Sequence, residues 1–118
     1  MNPHFAKLMT HTLTIQKLTR DWTGAFVVNT SYVDVKGFVE FGRKLTTNLK
    51  GEEELSTALV FLPNTLPEGI GLMMTDESIN WRINMTAPYE RSGLVVIKAD
   101  PIDDPRSGET HHYEVWVK

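Results

Sequence analysis

Cysteine is absent from this 118-residue chain. That excludes a disulfide framework, a thiolate metal site and a cysteine nucleophile. No apolar run approaches the roughly 20 residues needed to cross a bilayer as a helix. The opening MNPHFAKLM lacks the apolar core of a signal peptide, so synthesis and folding in the cytosol, with no membrane partner, are expected. A basic excess is also missing. The net charge is −3, which argues against a dedicated sequence-specific DNA binder. Residues 1–59 carry seven Lys/Arg and six Asp/Glu, whereas residues 60–118 carry five and nine, so the acidic excess lies in the second half.

The glycine-rich phosphate loop, the dinucleotide fingerprint and the nucleophile elbow Gly-x-Ser-x-Gly are all lacking. Glu52, Glu53 and Glu54 read as solvated carboxylates leading into a strand rather than as an acid–base pair. The expectation is therefore a non-enzymatic protein with no cofactor. Asp100, Asp103 and Asp104, followed by Glu109, could approach a Ca²⁺ or Mg²⁺. Their spacing does not fit the EF-hand loop, and two prolines with a Ser-Gly make 100–109 an acidic surface turn. His111 and His112 are neighbours in an extended stretch and are expected to point to opposite faces. No metal site is expected.

What is present is a succession of short alternating segments. Hydrophobic content of 41% and charged content of 23% suit one globular domain spanning 1–118. Asn2-Pro3 followed by Phe5, Leu8 and Met9 at i, i+3 and i+4 predicts a short amphipathic helix over 1–9 that must dock on something. Leu13 and Ile15 alternate with polar residues. TRDWTG is a turn, AFVV resumes the strand, and NTS reads as a further break. In SYVDVKGFVEF, Val33, Val35, Val39 and Phe41 share one parity, with Gly37 among them marking a bulge or bend. ELSTALVFLP is a strand buried on both faces near its end and stopped by Pro63. SINWRINM places Ile79, Trp81, Ile83 and Met85 on one face. LVVIKA and THHYEVWVK complete the series, the last with Tyr113, Val115 and Val117 on one side and Trp116 on the other.

Six or seven strands with turns every eight to twelve residues predict an all-β fold, a small antiparallel β-barrel. It would carry a short N-terminal helix and one long inter-strand loop. That loop, 42–54, is much longer than a hairpin requires. Its cations Arg43, Lys44 and Lys50 are met by three glutamates. Trp116, flanked by His112 and Glu114, is the best exposed aromatic for a protein interface. Trp22, Trp81 and Trp116, with Arg82, leave open a different reading: an OB- or SH3-like barrel stacking single-stranded nucleic acid. A metal-dependent enzyme using the acidic turn is a third.

The order of HTLTIQKLTRDWTGAFVV, YVDVKGFVEF, a long polar loop, ALVFLP, WRINMTAP and HYEVWVK resembles the head-completion proteins of tailed phages, the head–tail joining or stopper family. The resemblance runs over nearly the whole chain and rests on order rather than on one motif. It implies a small barrel that assembles into a ring of six or twelve copies below the portal and adaptor proteins and above the tail. It implies passage of double-stranded DNA through the channel, contacted non-specifically, and residence in the virion after assembly in the host cytoplasm. Carried over by position, the gating loop is Gly42–Glu54, with Arg43, Lys44, Thr46, Thr47, Asn48 and Lys50 nearest DNA. Phe5, Leu8, Met9 and Trp116 are the expected subunit or partner contacts.

Overall fold

Leu13 and Ile15 fix the inner face of β1 (His11–Arg20), which pairs with β2 (Phe26–Thr47). β3 (Glu53–Pro63), β4 (Asn80–Ala87), β5 (Arg91–Asp103) and β6 (Thr110–Val117) follow. The computed structural model describes residues 7–47, 50–67, 69–71 and 80–118. Neighbours run β1-β2-β3-β6-β5-β4, every pairing is antiparallel, and β4 returns to β1. The chain is thus an all-β protein whose single six-stranded sheet closes in a ring.

Closure follows from alternation. Each strand turns every second side chain inward, as a curved sheet requires. The shared core holds Leu13 and Ile15, Val35 and Val39, Ala58, Val60 and Leu62, Trp81, Ile83 and Met85, Leu94 and Ala99, and Val115 and Val117. Ile70, on the connection from β3 to β4, joins them. Each fully buried Leu, Ile or Val stabilises the ring by about 1.5–3 kcal/mol. The expected face of β4 and the Val115 and Val117 side of β6 lie inward, and β3 is buried on both faces near its end, at Leu59 as well as Ala58, Val60 and Leu62; Ile79 lies outside the described residues.

β2 departs from expectation. AFVV and SYVDVKGFVEF do not separate at NTS but form one strand of 22 residues. Leu13 faces Val35 while Ile15 faces Tyr32, so β2 spends an extra residue at Val33–Asp34. Asp34 there adopts φ 55°, a left-handed conformation that Asp tolerates better than most residues. The bulge flips parity, and Val33, expected inside with Val35, is 65% exposed. A second extra residue falls near Asn29 and a third at Gly42–Arg43.

Gly37 is not the bulge the sequence suggests. It is buried opposite His11, and a Cβ there would lie 2.7 Å from Leu13 Cδ1 and 2.8 Å from the Phe61 carbonyl oxygen. Close approach of backbone and core, rather than a kink, requires glycine. The expected N-terminal helix is not supported. Its residues 1–6, Phe5 included, lie outside the described residues, and of the described residues 7–9 Lys7 and Leu8 alone are helical. The acidic turn is also shorter than 100–109, because β5 continues through Asp103.

Two glycines with opposite surroundings test this packing. Gly37→Ala should lower unfolding free energy by about 1–3 kcal/mol through overpacking. Gly42→Ala, with nothing within 4 Å of the added carbon, should change it by no more than about 0.5 kcal/mol. Chemical denaturation of both variants reads the difference; equal values would contradict the assigned role of Gly37.

Candidate functional site

The polar excursion is largely strand. Beyond the Gly42–Arg43 bulge, Lys44 pairs with Ser56, Leu45 with Leu55, Thr46 with Glu54 and Thr47 with Glu53. Within the expected loop 42–54, the residues through Thr47 and from Glu53 are therefore strand, and between them Lys50 and Gly51 lie in a turn where Gly51 adopts φ 84°. The cross-strand Leu45–Leu55 pair and the β-branched Thr46 and Thr47 favour the extended form. Polar composition hid this ladder, because its covered face carries Thr46 and Ser56, 8% and 1% exposed, in place of the apolar alternation by which strands are read.

β3 meets β6 only from Ala58 onward, so the segment 44–47 with 53–56 is a two-stranded arm beyond the ring. Such a ribbon is marginal alone. Lys118 Nζ bonds Glu54 Oε1 at 2.6 Å and anchors its base. Lys44 Nζ lies 3.9 Å from Glu40 and 6.0 Å from the Trp116 ring centre. Leu45 and Leu55 are 65% and 50% exposed. Arg43, Lys44, Thr47 and Lys50 are exposed, whereas Thr46 is buried and leaves hydrogen bonding towards a neighbour to Thr47. Asn48 lies outside the described residues.

Trp116 is half-buried, with Lys98 Nζ 5.7 Å from its ring in addition to Lys44. Trp81 is a core residue. The acidic carboxylates are engaged locally. Asp100 pairs with Lys98 at 3.5 Å, Asp103 accepts from Thr110 Oγ1 at 3.3 Å, and Asp104 accepts from the Arg106 amide at 2.8 Å. His111 and His112, expected on opposite faces, instead meet edge-on with their Nδ1 atoms 2.9 Å apart. Adjacent rings near the start of a twisted strand can swing towards each other through χ1, which parity does not capture.

An aromatic band crosses the outer face of four adjacent strands. His11 stacks on Phe38 at 4.6 Å, Phe38 tilts against Phe61 at 6.5 Å, and Phe61 against His112 at 6.0 Å. The Val39 amide donates to His11 Nδ1 at 3.0 Å, which holds the imidazole against Phe38. Above this band lies a groove of about 230 Å³ formed by Leu8, Met9, Phe38, Glu40 and Phe61. Met9 is buried and Leu8 exposed at its wall. Two of the residues expected at a contact thus share this groove.

The far end of the β1–β2 hairpin carries a feature that strand periodicity missed. Trp22, at the tip, is 96% exposed, and Phe26, Val27 and Val28 beside it are more than 40% exposed. The turn beneath it is rigidly tied. Asp21 accepts from the Thr23 amide at 2.8 Å, the Thr23 hydroxyl at 2.5 Å and the Ala25 amide at 3.1 Å. Gly24, at φ 86°, donates to the Asp21 carbonyl, and Arg20 donates to the Gly24 carbonyl while stacking on Phe26. The available signal was a tryptophan inside the turn TRDWTG, where burial is least expected.

No protein-family model, curated protein or solved structure matches the chain.

The hydrogen bond from Thr23, with the backbone amides of the turn, holds the Asp21 carboxyl below its ordinary value of 3.8. A depressed folded-state value means that the contribution is complete above 3.8 and is lost as pH falls through the lower folded value. The Thr23 and Ala25 amide resonances should therefore titrate together below pH 3.8, and amide exchange at the tip should accelerate there. Asp21→Asn should abolish that transition. A midpoint at or above 3.8 would contradict this account of the turn.

Proposed function

We propose that this chain is a head-completion protein of a tailed phage, of the stopper kind. In this reading it is a structural, non-enzymatic β-barrel subunit. Six or twelve copies form a ring between the portal and adaptor proteins and the tail, and the ring bounds the channel for packaged double-stranded DNA. The observation that carries the reading is the two-stranded arm, which leaves a closed ring and presents an apolar pair with balanced charge. Arg43, Lys44 and Lys50 are offset by Glu52, Glu53 and Glu54. Each neutralised phosphate adds affinity, so a dense basic arm would grip DNA, whereas a balanced one lets it pass. Leu45 and Leu55 offer contacts to the same arm of neighbouring copies, and Thr47 offers a hydrogen bond.

The order of elements along the chain supports the same reading. The single-stranded nucleic-acid reading fits less well. A stacking platform needs successive aromatic faces, but Trp81 is in the core and Trp116 is partly covered. The remaining Trp22 stands alone at a hairpin tip.

Replacing residues 45–55 by Asn-Gly joins the paired Lys44 and Ser56 through a two-residue hairpin turn. The shortened chain should fold and should take its place on heads assembled without the native protein. Those heads should lose packaged DNA. Filled, infectious particles carrying the shortened chain would refute the gating role.

A further inference from the structure

The chain displays a rigid apolar knob and an apolar groove at opposite ends of one hairpin. The knob is Trp22 on the Asp21-tied turn, with Arg20 beside it. The groove is formed by Leu8, Met9, Phe38 and Phe61, with Glu40 as its charged residue. β1 separates them: His11 faces Gly37 at the groove end and Arg20 faces Phe26 at the tip. Ten residues of strand span about 30 Å. A chain therefore cannot seat its own tip in its own groove, but a second copy can.

We propose that Trp22 of one copy of this chain inserts into the Leu8/Met9/Phe38/Phe61 groove of the next, with Arg20 facing Glu40 across the contact. Charge complementarity selects this occupant. Among the described residues Glu40 has one loose ion pair, to Lys44 at 3.9 Å. Arg20 is exposed and has guanidinium donors beyond the one used on Gly24. A tip already ordered by Asp21 loses little conformational freedom on docking, which favours it as an anchor. Because two different patches meet, the contact is heterologous, and repetition generates a ring or a filament rather than a closed pair. This deepens the ring reading by naming its subunit contact.

One tryptophan buries about 150–250 Å², well below the roughly 800 Å² per partner of a stable interface. Pairwise association should accordingly be weak, with Kd between about 1 µM and 1 mM, and should accumulate only as copies close on one another. Sedimentation velocity of the purified full chain, taken to about 1 mM, should show concentration-dependent oligomers. Trp22→Ala should weaken association at least about tenfold with an unchanged melting temperature, because the side chain packs on nothing. Arg20→Glu and Glu40→Arg should each be monomeric alone. An equimolar mixture of the two should associate again, since every knob then meets an oppositely charged groove.

A native chain monomeric at about 1 mM, a Trp22→Ala variant that associates like the native chain, or a mixture no better than its components would each overturn the proposal. DNA retention by heads reads the arm without the tip, and association of the free chain reads the tip without heads. Failure of this contact is thus distinguishable from failure of the channel role.

Discussion

β2 is bonded to β1 through Gly37 and to β3 from Phe38 onward, so one strand supplies the corner through which the sheet turns back on itself. Its 22 residues would span about 70 Å if straight, against a longest molecular extent of 46 Å. The excess must be taken up by bending, and the three extra residues at Asn29, Val33–Asp34 and Gly42–Arg43 take it up. Bulges increase local twist and curl a sheet towards closure. The left-handed backbone of Asp34 is the conformational cost of one of them. Gly37 sits midway between the last two bulges, where the bent strand presses Leu13 and the Phe61 carbonyl so closely that no side chain fits.

The same length explains why surface that could interact lies at the two ends. The core uses only the middle of β2, with Val35 and Val39 inside. Among the described residues, what remains at each end continues as a ribbon paired to its hairpin partner: Phe26–Val27 with Thr19–Arg20, and Lys44–Thr47 with Glu53–Ser56. On the arm the covered face holds Thr46 and Ser56, while Leu45 and Leu55 face outward, as Trp22 and Phe26 do at the tip. Scattered exposed apolar residues are ordinary, but a nearly fully exposed tryptophan on a turn secured by three hydrogen bonds to one carboxylate is a concentrated exposure.

Where one face is buried and the other wet, the sequence was readable. Trp81, Ile83 and Met85 on β4, and Val115 and Val117 on β6, lie where alternation puts them, and the all-β class follows from them. Bulges have no composition signature, so parity puts Val33 on the wrong face and NTS reads as a break. The arm is hidden for a different reason: its covered face carries Thr46 and Ser56 rather than apolar side chains, so Arg43 to Glu54 reads as loop. Leu8 and Met9 were legible as contact residues by helical spacing, yet the groove they share with Phe38 and Phe61 depends on strands β2 and β3 being adjacent, which local pattern does not encode. Trp22 stood in plain view in a turn, and only its exposure gives it meaning.

The order of the arm changes what it can do in a ring. A dozen unpaired residues would lose about 1–2 kcal/mol of backbone entropy each on becoming fixed, and closure would be a folding event dominated by that cost. With Lys44–Thr47 already paired to Glu53–Ser56, those residues are fixed in the lone subunit and carry none of that cost. Movement is then confined to the place where the ladder is broken, Gly42–Arg43, with Glu54 tethered to Lys118 on the far side. On the reading proposed above, the arm acts as a stiff lever hinged at its bulge. Opening it for DNA requires bending at the bulge, loosening one exposed ion pair worth at most about 1 kcal/mol and uncovering Thr46 and Ser56, rather than unfolding a strand. A low barrier of that kind suits a segment that must hold against neighbours and still yield to DNA in transit.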